Sequence, residues 1–214
     1  MYIRTNDEVK KEYEASWGQG VDYIMPMRKY GILGYYSRQD YWDDAIEQIS
    51  KIIQRYNPKN VLDAGSGDGT VINALAIAFP LIQFYGIEQS VAGVTKSNKG
   101  LNNVSIQQGD VRNAFNAPHC DLVYSRGVME QLPRDWKDMM KNMHHAVTAD
   151  GHVLFIEPFK EVQTWRSRRY IKQQDYFSQS FKVVKDLKLR ILRFEQMPLV
   201  KDRYRYALLL CKKK

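Results

Sequence analysis

Cysteine is nearly absent from this chain: Cys120 and Cys211 are the only two among 214 residues. They form no Cys-x-x-Cys pair and both lie in apolar, strand-like segments. That excludes a disulfide scaffold and predicts free, buried thiols in a reducing compartment. No apolar stretch approaches the roughly 18–20 residues that a membrane-spanning helix requires. The segment Met1 to Lys10 lacks the apolar run of a signal peptide. No His/Cys/Asp spacing resembles a zinc or iron site, so no metal is expected. Repeats, low-complexity tracts and Pro/Gly-rich linkers are missing too, which favours a single domain. From these absences we expect a soluble, intracellular and cytoplasmic protein that sits on no membrane.

What is present is an ordinary balance for a folded chain, 44% hydrophobic and 26% charged residues. The net charge of +8 is unevenly placed. Phe159 to Lys214 holds 16 Lys/Arg against 5 Asp/Glu, whereas the rest of the chain is slightly acidic. Such an end attracts anions, either an anionic acceptor or nucleic acid, although a solvated Lys-rich surface has the same composition.

From Asn60 onward, short β-branched runs alternate with helical stretches. Strands are expected at Asn60–Gly65, Gln83–Glu88, Asn103–Gln108, Cys120–Ser125 and Gly151–Glu157, the last stopped by Pro158. Helices are expected at Gly69–Phe79, at about Ser90–Lys99 and at about Arg134–Val147. This βαβα order calls for an α/β fold, a mostly parallel sheet with helices on both faces. Phe181–Gln196 and Tyr204–Cys211 read as two late strands. The link between them is too short for a crossover helix, so one must run antiparallel. Residues 1–59 read as a helical cap or lid of the same domain, with a helix from Asp40 to Tyr56; residues 60–214 form the main body. Trp17, Tyr23, Tyr30, Tyr35, Tyr36, Tyr41 and Trp42 are candidates to wall a site against water.

Gly65, Gly67 and Gly69 separate the first strand from its helix, at the sheet edge where nucleotide-like ligands bind in open α/β folds. A phosphate-binding loop needs Gly-Lys-Ser/Thr, and here Gly67-Asp-Gly-Thr70 has no lysine. A dinucleotide fingerprint needs a third Gly where Thr70 stands. Asp63 and Asp68 repel a pyrophosphate but favour a ligand carrying an ammonium and a sulfonium, as S-adenosylmethionine does. Glu88, at the end of the second strand, suits two ribose hydroxyls. Asp110, at the end of the third, suits an adenine amino group.

Val61-Leu-Asp-Ala-Gly-Ser-Gly-Asp-Gly-Thr70, Tyr85-Gly-Ile-Glu88, Gln108-Gly-Asp110, Asp121-Leu-Val-Tyr-Ser-Arg-Gly-Val-Met-Glu-Gln-Leu-Pro133 and Gly151-His-Val-Leu-Phe-Ile-Glu-Pro158 together resemble the successive motifs of class I S-adenosylmethionine-dependent methyltransferases. The resemblance covers residues 57–158. It implies a Rossmann-like sheet of seven strands with the last antiparallel. It also implies a cofactor-binding set of Asp63, Gly65, Ser66, Gly67, Gly69, Glu88, Gln89, Asp110, Val111 and Ser125, with Ser125 and Arg126 facing the transferred methyl group. Small-molecule members often carry Glu-His-Leu after the fourth strand, where this chain has Glu130-Gln131-Leu132. No Asn/Asp-Pro-Pro-Tyr/Phe follows that strand, which argues against amino-methylation of a nucleobase. No Pro-Cys pair is present for covalent attack on a pyrimidine.

Methyl transfer from a sulfonium needs chiefly positioning, plus a base for the acceptor's proton. Glu130 and Arg126 are the catalytic candidates. Glu157 is a further acid, equally suited to a structural role. His119, His144, His145 and His152 are expected to pack or face solvent. Arg166, Arg168 and Arg169 are candidates for an acceptor's phosphate or carboxylate. The expected acceptor is a small molecule methylated on oxygen or nitrogen, such as a sugar or secondary metabolite. The alternatives are an RNA or tRNA acceptor on the basic end, or a non-catalytic cofactor-binding subunit.

Overall fold

The structure, a computed structural model, describes Lys11 and residues 38–132, 135–159, 176–196 and 205–214. Most of the expected cap therefore lies outside the described residues, including Trp17, Tyr23, Tyr30, Tyr35 and Tyr36. So do the side chains of Tyr41 and Trp42, and so do Arg166, Arg168 and Arg169.

The chain divides into two compact units, Met1–Asp110 and Val111–Lys214. In the first, helix α1 (Arg38–Tyr56) precedes the sheet strands. Ala45, Ile49, Ile52 and Ile53 are buried along one stripe, while Asp44, Glu47, Lys51 and Arg55 are exposed, as a 3.6-residue period demands. Asn57, at φ 46°, ends the helix by donating its N–H to Ile53 O at 2.7 Å.

Next come β1 (Asn60–Ala64), α2 (Thr70–Ala78), β2 (Gln83–Glu88), α3 (Val91–Ser97) and β3 (Val104–Gln108). β1 and β3 both pair parallel to β2. Val61 through Ala64 are all buried, so both faces of β1 are covered. Asn103 fixes the return to the sheet: its side-chain amide donates to Ala76 O (3.0 Å) and Ile82 O (3.1 Å), satisfying carbonyls at and after the end of α2.

The second unit holds β4 (Cys120–Arg126), a 3-10 turn (Met129–Gln131), α4 (Trp136–Ala146), β5 (Val147–Phe159), α5 (Tyr176–Asp186), β6 (Arg190–Gln196) and β7 (Arg205–Lys212). β5 lies parallel to β4, and β7 runs antiparallel to both β5 and β6. The seven strands follow the order β3-β2-β1-β4-β5-β7-β6, the mixed Rossmann-like sheet that the motifs implied.

Two expectations are corrected. Phe181–Gln196 is not one strand, because residues up to Asp186 complete helix α5 and only Arg190 onward is β6. Ser180, Val183 and Val184 are buried in helical rather than alternating register, and Lys188, at φ 56°, breaks the chain between helix and strand. Nor does Pro158 stop β5, since it pairs with Tyr206 of β7. The β4 pairing ends at Ile156, so beyond that point a proline removes no ladder bond from that side.

Candidate active site

In the first unit the glycine loop leaves β1 with three left-handed residues, Gly65 (φ 93°), Gly67 (φ 57°) and Gly69 (φ 75°). Gly65 and Ser66 donate their N–H groups to Ile87 O, at 2.9 and 3.0 Å, anchoring the loop to β2. A side chain at Gly69 would place its Cβ 2.5 Å from Ser97 Cβ and 2.9 Å from Ser97 Cα, so this position needs glycine for space as well as for conformation.

The acids divide their work. Asp68 accepts the Thr70 N–H (3.1 Å) and the Thr70 hydroxyl (2.7 Å), placing a carboxylate at the start of α2. Asp63 is buried at the end of β1. Glu88, 8% exposed, accepts Gly67 N–H at 2.9 Å with one oxygen and Ser90 N–H at 2.8 Å with the other. One carboxylate thus ties the glycine loop to the start of α3. Gly109 donates its N–H to Glu88 O at 2.9 Å, and Gln108 Nε2 reaches Gln89 O at 3.3 Å, which joins the ends of β2 and β3 beside Gln89 and Asp110.

Two residues that the sequence reading missed support this arrangement. Ser90 caps α3 by accepting the Gly93 N–H at 3.0 Å. Gly93 leaves room for Glu88, because a Cβ there would stand 2.9 Å from Glu88 Cγ and 3.1 Å from Gly67 O. A glycine inside a helical stretch was the available signal, since it costs helix stability unless something approaches closely.

The residues fit a polar ligand on independent grounds. Ser66 Oγ is buried at the loop with no hydrogen-bond partner among the described residues. A buried hydroxyl without a partner is costly, and a ligand hydrogen bond relieves it.

In the second unit Val111 is buried, and its carbonyl accepts from Asn142 Nδ2 at 3.1 Å. Arg112 beside it pairs with Asp135 at 3.3 Å. Ser125 is fully buried near the end of β4, and Arg126 is half-buried at that end. Glu130 lies in the 3-10 turn, and its side chain is outside the described residues. Glu157 is 2% exposed and accepts from Ser125 Oγ and from the Val128 and Met129 N–H groups. It is committed to this turn rather than open to an acceptor.

The thiols are unsuited to nucleophilic work. Burial and the neighbouring Asp121 push Cys120 up to about 12, and burial alone does the same for Cys211. Among the described residues no cluster of His, Cys, Asp or Glu could hold a metal ion. None of the described helices is long and apolar enough to cross a membrane.

Residues 36–190, more than two thirds of the chain, match a family of methyltransferase domains. The chain belongs to that family. The match agrees with the class I S-adenosylmethionine-dependent methyltransferase motifs read from the sequence. A curated relative, caffeic acid 3-O-methyltransferase of Eucalyptus globulus, is 27% identical over 124 residues, which is 54% of this chain and only 37% of the relative's length. Magnesium protoporphyrin IX methyltransferase (ChlM) of Synechocystis PCC 6803, solved with bound S-adenosylmethionine, is similar in fold. Its TM-score is 0.71 at 13% identity, over 100% of this chain and 99% of that one. The N-methyltransferase NodS of Bradyrhizobium japonicum WM9, solved with S-adenosylhomocysteine, gives 0.69 at 13% identity, over 96% and 98%.

Proposed function

We propose that this methyltransferase transfers the methyl group of S-adenosylmethionine to an oxygen or nitrogen atom of a small-molecule acceptor. The observation that carries the donor half is the Glu88 carboxylate, buried between the Gly67 and Ser90 N–H groups at the edge of the glycine loop. In this reading Gly65, Ser66, Gly67 and Gly69 line the methionine end with Asp63, whose charge complements the ammonium. Glu88 and Gln89 take the ribose, and Asp110 and Val111 the adenine. Ser125 and Arg126 stand at the methyl end. When bound, the donor supplies an electrophilic methyl on a sulfonium, a good leaving group. What the protein adds is alignment, exclusion of water and a destination for the acceptor's proton. Glu130 is the proposed proton acceptor, and Arg126 the proposed partner of a substrate anion or of the cofactor carboxylate.

The partial likeness to an O-methyltransferase and the fold shared with an N-methyltransferase and a porphyrin methyltransferase support a small acceptor without selecting the atom. The test is a panel of phenols, sugars and primary amines incubated with S-adenosylmethionine, reading acceptor-dependent S-adenosylhomocysteine. Turnover with at least one class is expected, and Glu130→Gln should slow it at least about a hundredfold, the low end of what a general base contributes.

The exposed Lys182, Lys185, Lys188 and Arg190 favour an RNA acceptor as a second reading. A tRNA gel shift that weakens steeply with salt, with no turnover on the small-molecule panel, would replace the first reading by the second.

A further inference from the structure

Glu157 is an acid inside an otherwise apolar strand: Val153, Leu154, Phe155 and Ile156 before it are all buried. Its carboxylate reaches three donors on one short segment of the same unit. Oε1 accepts the Ser125 hydroxyl at 2.9 Å and the Val128 N–H at 3.3 Å, while Oε2 accepts the Met129 N–H at 3.0 Å. Gly127, at φ 62°, turns the chain between these donors, and its own N–H bonds to Ile156 O at 3.0 Å. The end of β4 and the start of the 3-10 turn are therefore hung on β5 through one carboxylate and one carbonyl. If the site required only packing, an apolar side chain would serve at lower cost, because a buried charge must be compensated by hydrogen bonds of good geometry. The compensation here comes from the segment that carries Arg126 and Glu130.

We propose that Glu157 is a positioning residue for methyl transfer. It holds the Ser125–Gln131 turn in one conformation and so sets where Arg126 and Glu130 stand. Because Ser125 gives its single hydroxyl hydrogen to Glu157, its oxygen is left as an acceptor only, which fixes its polarity toward anything bound beside it. This inference rests on the reading above, in which that turn serves the methyl end of the donor.

Glu157→Gln keeps the shape but sets an N–H donor against donors of the turn. The experiment compares it with wild type by amide hydrogen exchange without ligand, and by methyl NMR of methionine-labelled protein with and without S-adenosylhomocysteine. The expected variant melts cooperatively and keeps its Val153 and Leu154 amides protected. Its Val128 and Met129 amides exchange at least tenfold faster, and the ligand-induced shift of the Met129 methyl signal seen in wild type is lost. Exchange within twofold of wild type, or a retained Met129 shift, overturns the proposal. If Glu157→Gln does not fold, Ser125→Ala removes one of the three bonds, and at least threefold faster exchange at Val128 and Met129 is expected; unchanged exchange overturns the proposal. Wild type that binds no S-adenosylhomocysteine defeats the methyltransferase reading and this inference together. A variant that behaves as wild type, while wild type binds, defeats this inference alone.

Discussion

Gly69 is where the loop's backbone conformation and its packing make the same demand. An alanine there must adopt a left-handed φ, costing about 1–2 kcal/mol, and must also displace the Ser97 backbone, an overpacking cost of roughly 1–3 kcal/mol. Gly69→Ala should therefore lower unfolding free energy by about 2–5 kcal/mol in urea titration, and a loss below about 0.5 kcal/mol would show that the loop is free to rearrange. Glu88 was legible from the sequence because an acid closes the second strand, opposite the glycine loop. Its bonds to Gly67 and Ser90 were not, because they depend on side-chain direction and on the space that Gly93 leaves. Asp68 illustrates the same limit. Its charge suggested a ligand contact, and the structure uses one of its oxygens on Thr70, a local bond that competes with any longer-range role.

Among the elements, the strands of the first unit were readable because each is short, apolar and bounded by turn residues. Helix α5 was not, since Phe181-Lys-Val183 opens with a strand's alternation in a β-branched run, and the burial of Ser180, Val183 and Val184 decides for the helix. A second element-level feature is the end of α4. Lys213, beyond the last strand, donates to His144 O and Val147 O, each at 2.9 Å, and so satisfies carbonyls that the helix end leaves open. A cation at that end also opposes the negative pole of the helix. Lys213→Met should therefore cost about 1–2 kcal/mol of stability, read as a lowered urea midpoint with unchanged slope. An unchanged midpoint would mean that water replaces the lysine without loss.

The whole molecule carries a pH dependence set by two imidazoles. Burial, then Lys213 and His145, lowers His144 below the ordinary 6.5. Burial, then Lys212, lowers His152, with Asp150 opposing. Both take up a proton more readily in the unfolded chain, so stability is full above 6.5 and falls as the pH drops below it. Melting between pH 7.5 and 5.5 should show this loss, and the double variant His144→Asn, His152→Asn should show less of it; equal losses would exclude these groups as its source. At the same scale, the mixed sheet and the family were legible from the order of motifs, while the acceptor was not. The proposed donor cradle is built from backbone turns and strand ends that leave a spacing in sequence. The lid aromatics and the Arg166–Arg169 cluster, the expected acceptor contacts, match no motif and lie outside the described residues.

The central claim is that the acid-and-glycine cradle binds S-adenosylmethionine. Calorimetry with S-adenosylmethionine and S-adenosylhomocysteine on wild type and Glu88→Ala tests it most directly, with melting curves to show that both proteins are folded. The account predicts that both ligands bind wild type, and that Glu88→Ala weakens each at least about tenfold, the loss of a charge-assisted hydrogen bond. Folded wild type that binds neither ligand would contradict it.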